Sequence, residues 1–210
     1  MGTLTFTATM SVDGYVADAD GDFQWAGPGD AVFAAHIDRL SQVSTEVHGR
    51  RPHLLMAYWD AEPEPGAWAP AEHEWARLWA RTEKIVASST LSQDDLSKGA
   101  RLVPHLELDE LEQIVRDAPG DVEIFGPTTA APAIRAGLVS EFRLYVVPKV
   151  VGGGLRAFPD DADLDPEPAQ HGVVGRAPCH LGEVDPLELE LGRARVEPAE
   201  VEQGQQQLLE

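Results

Sequence analysis

The sequence has 210 residues, a formal net charge of −20 and 43% hydrophobic content, which suits one domain with its own core, or one domain with a tail. A surface this acidic repels phosphodiester backbones and anionic lipid, so neither nucleic acid nor a membrane surface is an expected partner. No stretch reaches the roughly 18 to 20 consecutive apolar residues of a membrane span, MGTLTFTATM has no basic segment ahead of an apolar one, and the lone Cys179 has no internal disulfide partner; a cytoplasmic location is expected.

Thr3 to Met10 mixes threonines with apolar residues and reads as a strand, broken at Asp13-Gly14 by the loop DGYVADADGDFQW. Asp30 then stands as the expected cap of a helix in which Phe33, Ile37, Leu40 and Val43 recur at helical spacing. Ser44 to His48 is a short strand. Gly49-Arg50-Arg51-Pro52 leads into a helix through Leu54, Leu55 and Trp59, with Pro52 suited to a first helical position because its missing N–H has no partner there. After a proline-rich loop, AEHEWARLWART reads as a helix, and EKIVASST, residues 83–90, as a strand ending in hydroxyls. Arg101 to Pro104 is a short strand, and LDELEQIVRDA a helix with Leu108, Leu111 and Val115 on one side. DVEIFG, residues 121–126, is a strand running into Pro127-Thr128-Thr129 and the helix AAPAIRAGL. Ser140 to Val151 reads as a long strand with Pro148 and Lys149 inside it, ending on three glycines.

Past Phe158 the composition changes: residues 157–210 hold 13 acids against 3 arginines, about half of the net charge. PDDADLDPEPAQ reads as a linker, PLELELGRARVE as one late strand, and EVEQGQQQLLE as a frayed tail. We therefore expect a domain over 1–158 followed by a divergent acidic segment over 159–210. Strands alternating with helices imply an α/β fold with a mainly parallel sheet, and a ligand at the carboxyl ends of its strands.

Four such ends stand out. Gly49-Arg50-Arg51 offers two guanidiniums, the group shaped to grip phosphate through paired hydrogen bonds. Ser88-Ser89-Thr90 offers hydroxyls. Gly126-Pro127-Thr128-Thr129 offers a close backbone approach and threonines at a helix start. Gly152-Gly153-Gly154 implies a backbone shape that side chains would block. Taken singly each also fits an ordinary turn or cap, and neither GxGxxG nor GxxxxGK[ST] occurs. Together, along one alternating chain, they suit a long phosphorylated cofactor lying across a sheet edge. The seven histidines lack metal-ligand spacing, so no metal is expected.

The segments TATMSVDGYVA, HGRRPHLLMAYW, EKIVASSTL and EIFGPTTAAPAIRAGLVSEFRLYVVPKVVGGGLRAF occur in order over residues 3–158. In this combination the chain closely resembles the dihydrofolate reductase-like superfamily, in the branch containing the reductase domain of bacterial riboflavin biosynthesis. The resemblance implies a three-layer α/β reductase fold, NADPH as cofactor, a homodimer, and hydride transfer to a flat heterocycle such as a pterin or pyrimidine. It assigns Gly49, Arg50, Arg51, Ser88, Ser89 and Thr90 to the adenosine 2′-phosphate and pyrophosphate. Gly126, Pro127, Thr128 and Thr129 would pass beneath the phosphates and nicotinamide ribose. Ala8 and Ala17 would lie beside the nicotinamide, with Asp13 at the substrate end. The chain departs from the family pattern at Pro52-His53, where relatives carry Thr-Tyr, at Pro127 in place of a second glycine, and at Ser89 in place of an arginine.

Hydride transfer asks little of side chains beyond alignment and exclusion of water, but a proton must also arrive. Asp13 is expected as its donor or relay, with burial raising its pKa; making the Asp-Gly turn is its plain alternative. Trp25, Lys149 and Gly153 are expected around the substrate. Two other readings stay open: a catalytically silent binder of NADPH or a small molecule, and an acidic interaction domain whose tail recruits a basic partner.

Overall fold

A computed structural model describes residues 2–173, 177–179, 182–184 and 187–195. In chain order the strands are β1 (Leu4–Ser11), β2 (Tyr15–Ala17), β3 (Val43–Gly49), β4 (Glu83–Ala87), β5 (Arg101–Val103), β6 (Asp121–Phe125), β7 (Glu141–Val147), β8 (Leu155–Arg156), β9 (Asp165–Val173), β10 (Ala177–Cys179), β11 (Gly182–Val184) and β12 (Leu187–Arg195). The helices are α1 (Asp30–Leu40), α2 (Arg50–Met56), α3 (Pro70–Arg81), α4 (Leu108–Asp117) and α5 (Pro127–Arg135).

The main sheet runs β5-β4-β3-β6-β1-β7-β12-β9. Its six strands from β5 to β7 are parallel, and β12 and β9 continue it antiparallel. The expected α/β class with a mainly parallel sheet and helices on it is what the chain adopts. β12 lies within the late strand expected from PLELELGRARVE. β9 falls on much of the expected linker, so the sheet continues beyond residue 158. The expected frayed tail lies outside the described residues.

The central strands β1, β3, β4 and β6 are buried on both faces over most of their length, and the two faces differ. Successive side chains of a strand point to opposite sides, and one side gathers Leu4, Phe6, Val47, Ile85, Val122, Ile124, Phe142 and Leu144 against Leu111 of α4 and Ala130, Ala133 and Ile134 of α5. That is an ordinary apolar core. The other side presents Glu46, His48, Lys84 and Glu123, all 4% exposed or less, beneath α1 and α3. In the sheet register Lys84 is beside Glu46, Glu46 beside Glu123, and Glu123 beside Thr5. Arg39 of α1 reaches down to pair with Glu123 and lies 4.0 Å from Glu46, while His48 Nε2 lies 3.3 Å from the Glu46 carboxylate and its ring stacks on Trp79 of α3. Burial draws the Arg39 guanidinium down to about 10. Leu40, Trp75, Leu78 and Trp79 seal this layer from solvent.

Several boundaries differ from the sequence expectation. Gly29, not Asp30, is the N-cap of α1; Asp30 is the first helical residue, where its charge favours the helix N-terminus. Pro52 is the third residue of α2 rather than the first, still within the turn whose N–H groups have no helical partner. The long strand ends at Val147, so Pro148 and Lys149 lie in the turn after β7 and not inside a ladder, consistent with the missing donor of proline.

Candidate functional site

Because the six strands are parallel, β1, β3, β4, β6 and β7 deliver their carboxyl ends to one edge of the sheet, and every residue expected around a ligand except Ala8, which lies within β1, is at or beyond that edge.

In the middle, β3 and β6 are neighbours, and the loops they feed touch. A Cβ on Gly49 would stand 2.4 Å from Thr129 Oγ1, and one on Gly126 3.1 Å from the Pro52 ring. Gly126 has φ +88°, a backbone that favours glycine, so both its conformation and its surroundings require the residue. No side chain caps α5, so helix capping does not account for Thr128 and Thr129. Arg50 and Arg51, at the start of α2, are exposed.

Next to them, beyond β4, the Ser88 hydroxyl accepts from the N–H groups of Thr90 and Leu91 and lies 3.3 Å from Thr90 Oγ1. Ser88 therefore shapes its turn, leaving Ser89 and Thr90 exposed. The loop continues through Asp95, whose carboxylate accepts from Ser92 Oγ and Ser92 N–H. These bonds, with Arg50 nearby, hold it below the usual carboxylate range.

On the other side lie the turn after β1 and the glycines after β7. Asp13 accepts from Ser11 Oγ at 2.6 Å, from Val151 N–H at 3.0 Å and from Gly152 N–H at 2.7 Å. These bonds, the Ser11 hydroxyl foremost, lower its pKa to about 2. The expectation of a raised pKa is thereby corrected: donors converge on the charged form, so the carboxyl is ionised at neutral pH and ties two segments 138 residues apart.

A Cβ on Gly154 would stand 2.2 Å from the Ala17 carbonyl oxygen, and its φ is +130°; the close approach inferred from three glycines is to the protein's own backbone, where β8 pairs with β2. Gly153 faces open space. Trp25 donates from Nε1 to the Asp22 carbonyl at 3.1 Å, and Lys149 Nζ sits 5.4 Å from the Trp25 ring centre, so two residues expected at the substrate end adjoin each other. Ala8 and Ala17 are both buried, at 9% and 7% exposure. The loop after β2 also reaches toward the arginines: a Cβ on Gly21 would stand 3.8 Å from an Arg51 guanidinium nitrogen.

The residues present fit a phosphorylated nucleotide. Two exposed guanidiniums, exposed hydroxyls at Ser89, Thr90 and Thr128, and glycines at adjacent strand ends supply charge-assisted donors and room for a close backbone approach. No group of three or more His, Cys, Asp or Glu side chains suited to a metal occurs among the described residues, and no helix among them is long and apolar enough to cross a membrane. Sequence reasoning missed the buried layer of Arg39, Glu46, His48 and Glu123, and missed His53, which is fully buried and joined to the loop after β4. Nothing in local sequence separates them from surface polar residues.

The family model described as "RibD C-terminal domain" matches residues 2–174. "Uncharacterized protein YyaP" of Bacillus subtilis (strain 168) is 27% identical over 152 residues, 72% of this chain and 77% of that protein. Among solved structures, RibD of Acinetobacter baumannii superposes with a TM-score of 0.66 at 15% identity, over 91% of this chain and 58% of that one. Dihydrofolate reductase from Enterococcus faecalis, complexed with NADP(H) and RAB-propyl, superposes with a TM-score of 0.56 at 14% identity, over 92% and 96%. At these identities the structural likeness speaks for the fold.

Proposed function

The chain belongs to the RibD C-terminal domain family, and from that membership we propose that it is an NADPH-dependent reductase acting on a small flat heterocycle of pterin or pyrimidine type. The observation that carries the reading is the gathering of the Gly49–Arg51, Ser88–Thr90 and Gly126–Thr129 segments on adjacent ends of β3, β4 and β6. The NADP(H) carried by the fold neighbour from Enterococcus faecalis supports it.

In this reading Arg50 and Arg51, with Ser89, Thr90 and Thr128, hold the phosphates. Gly49 and Gly126 let backbone come close to them, and Ala8 and Ala17 leave space for a ring. NADPH supplies the hydride when bound. Trp25 offers an aromatic wall beside Lys149, whose cation offsets some of the acidic field. Asp13 holds the turn at residues 151–152 and, being ionised, does not hand over a proton; delivery falls to solvent.

That same observation favours a second reading, a silent NADPH-binding protein of the same fold, because no protonated carboxyl stands ready at Asp13. One set of measurements separates the readings. NADPH raises Tm more than NADH does, and Arg51→Ala removes most of the difference, weakening NADPH roughly 10- to 100-fold as expected for loss of a charged hydrogen bond worth about 1.5–3 kcal/mol. If neither nucleotide moves Tm, both readings fall. Binding with no NADPH oxidation across pterins, pyrimidines and quinones leaves the silent one.

A further inference from the structure

His53 stands in α2, one turn after Arg50, and is 0% exposed. Its Nε2 accepts a hydrogen bond from the backbone N–H of Ser97, 3.2 Å away and 44 residues along the chain. Ser97 is itself buried and closes the loop that opens with Ser88–Thr90. This buried bond thus joins the helix that begins with Arg50 and Arg51 to the loop that carries Ser89 and Thr90. We propose that His53 is a positioning residue: it latches these two segments at the spacing a phosphorylated nucleotide needs, and protonation of its ring opens the latch.

The chemistry has one direction. Nε2 can accept only while unprotonated, which fixes the hydrogen on Nδ1. Charging the ring puts a hydrogen on both nitrogens, so the Ser97 N–H loses its acceptor and two donors face each other in a buried place, which is costly. The groups facing His53 are His48 of β3, its ring centre 6.0 Å away, Lys84 of β4, and Asp60 in the helical turn after α2. Beyond them, Glu46 lies 3.3 Å from His48 Nε2. Burial first, then His48 and Lys84, hold the His53 pKa below the usual histidine value, while Asp60 opposes them. The latch is therefore closed at neutral pH and opens on acidification below the ordinary histidine range. Unfolded His53 binds its proton more readily than folded His53, so stability from this group falls in the same direction.

The nucleotide part rests on the reductase reading; the hydrogen bond does not. The test compares the wild type with His53→Gln, whose amide oxygen can accept at the Nε2 position without titrating, and with His53→Leu, which cannot accept. In the protein without nucleotide, the Ser97 amide exchange rate is measured against that of an unstructured peptide at about pH 8 and at the lowest pH at which the protein stays folded. Wild type is expected to protect Ser97 at the higher pH and lose protection at the lower, His53→Gln to protect it at both, and His53→Leu at neither. Fluorescence titration then gives the Kd for NADPH over the same range. The 2′-phosphate titrates in every protein, so only the difference counts: wild type should weaken on acidification by roughly tenfold more than His53→Gln.

Equal pH profiles in wild type and His53→Gln would overturn the proposal, as would full protection of Ser97 in His53→Leu. Should His53→Leu fail to fold, the glutamine comparison decides alone. If wild type binds no NADPH at any pH, the reductase reading falls with the nucleotide half of this proposal, and the amide exchange still judges the latch.

Discussion

Neighbouring glycines after β7 make opposite predictions. Gly154→Ala drives a methyl group into the Ala17 carbonyl from a φ that L-residues avoid, so a loss of about 1–3 kcal/mol and a fall of several degrees in Tm are expected. Gly153→Ala meets nothing within 4 Å and should leave Tm within a degree or so, or raise it slightly by restricting the unfolded chain. Calorimetry of the two variants side by side checks both. At Asp13 the pKa is lowered to about 2 from 3.8, so its contribution is complete above about 3.8 and disappears as pH falls through about 2. Asp13→Asn should accordingly lower Tm at neutral pH, with the deficit shrinking toward pH 2 in a melting series. A deficit independent of pH would mean that charge does not matter there.

At the scale of elements, α1 is fastened to the sheet by Arg39, whose pairing with Glu123 and nearness to Glu46 compensate two buried carboxylates. Burial pushes Glu46 up, but His48, Arg39 and Lys84 together hold it below the ordinary carboxylate range. Arg39→Ala should cost about 3–5 kcal/mol, because it strands buried charge rather than merely deleting a contact. Replacing Arg39 by Met together with Glu123 by Leu should recover most of that loss in a denaturant titration; failure to recover would show the polar layer to be worth more than its packing. This layer also marks the limit of what the sequence makes legible. Strand and helix order could be read because apolar periodicity and glycine turns are local. In VSTEVHG, however, Glu46 and His48 alternate with Thr45 and Val47 as they would on a solvated face, and only α1 and α3, placed by tertiary packing, make that face an interior one. The anion-friendly loops were readable as a set, whereas the direction of the Asp13 shift was not, since its donors Val151 and Gly152 belong to a segment that the fold brings back.

For the molecule as a whole, a net charge of −20 predicts salt-dependent stability. Raising ionic strength from about 0.01 M to 0.15 M shortens the Debye length from about 30 to 8 Å and should raise Tm by relieving self-repulsion. The edge of the sheet gives a second expectation. β12 pairs with β7 from Leu187 to Leu191, so a chain ended at residue 158 leaves β7 open and should associate or precipitate on size-exclusion chromatography. A monomeric, equally stable 1–158 fragment would remove β12 from the account. Finally, β1 lies between β6 and β7, and both are made more than a hundred residues later. A nascent chain leaving the ribosome thus carries its own keystone strand unmatched until near Val147, and the burden of keeping it from wrong company falls on whatever shelters newborn polypeptide.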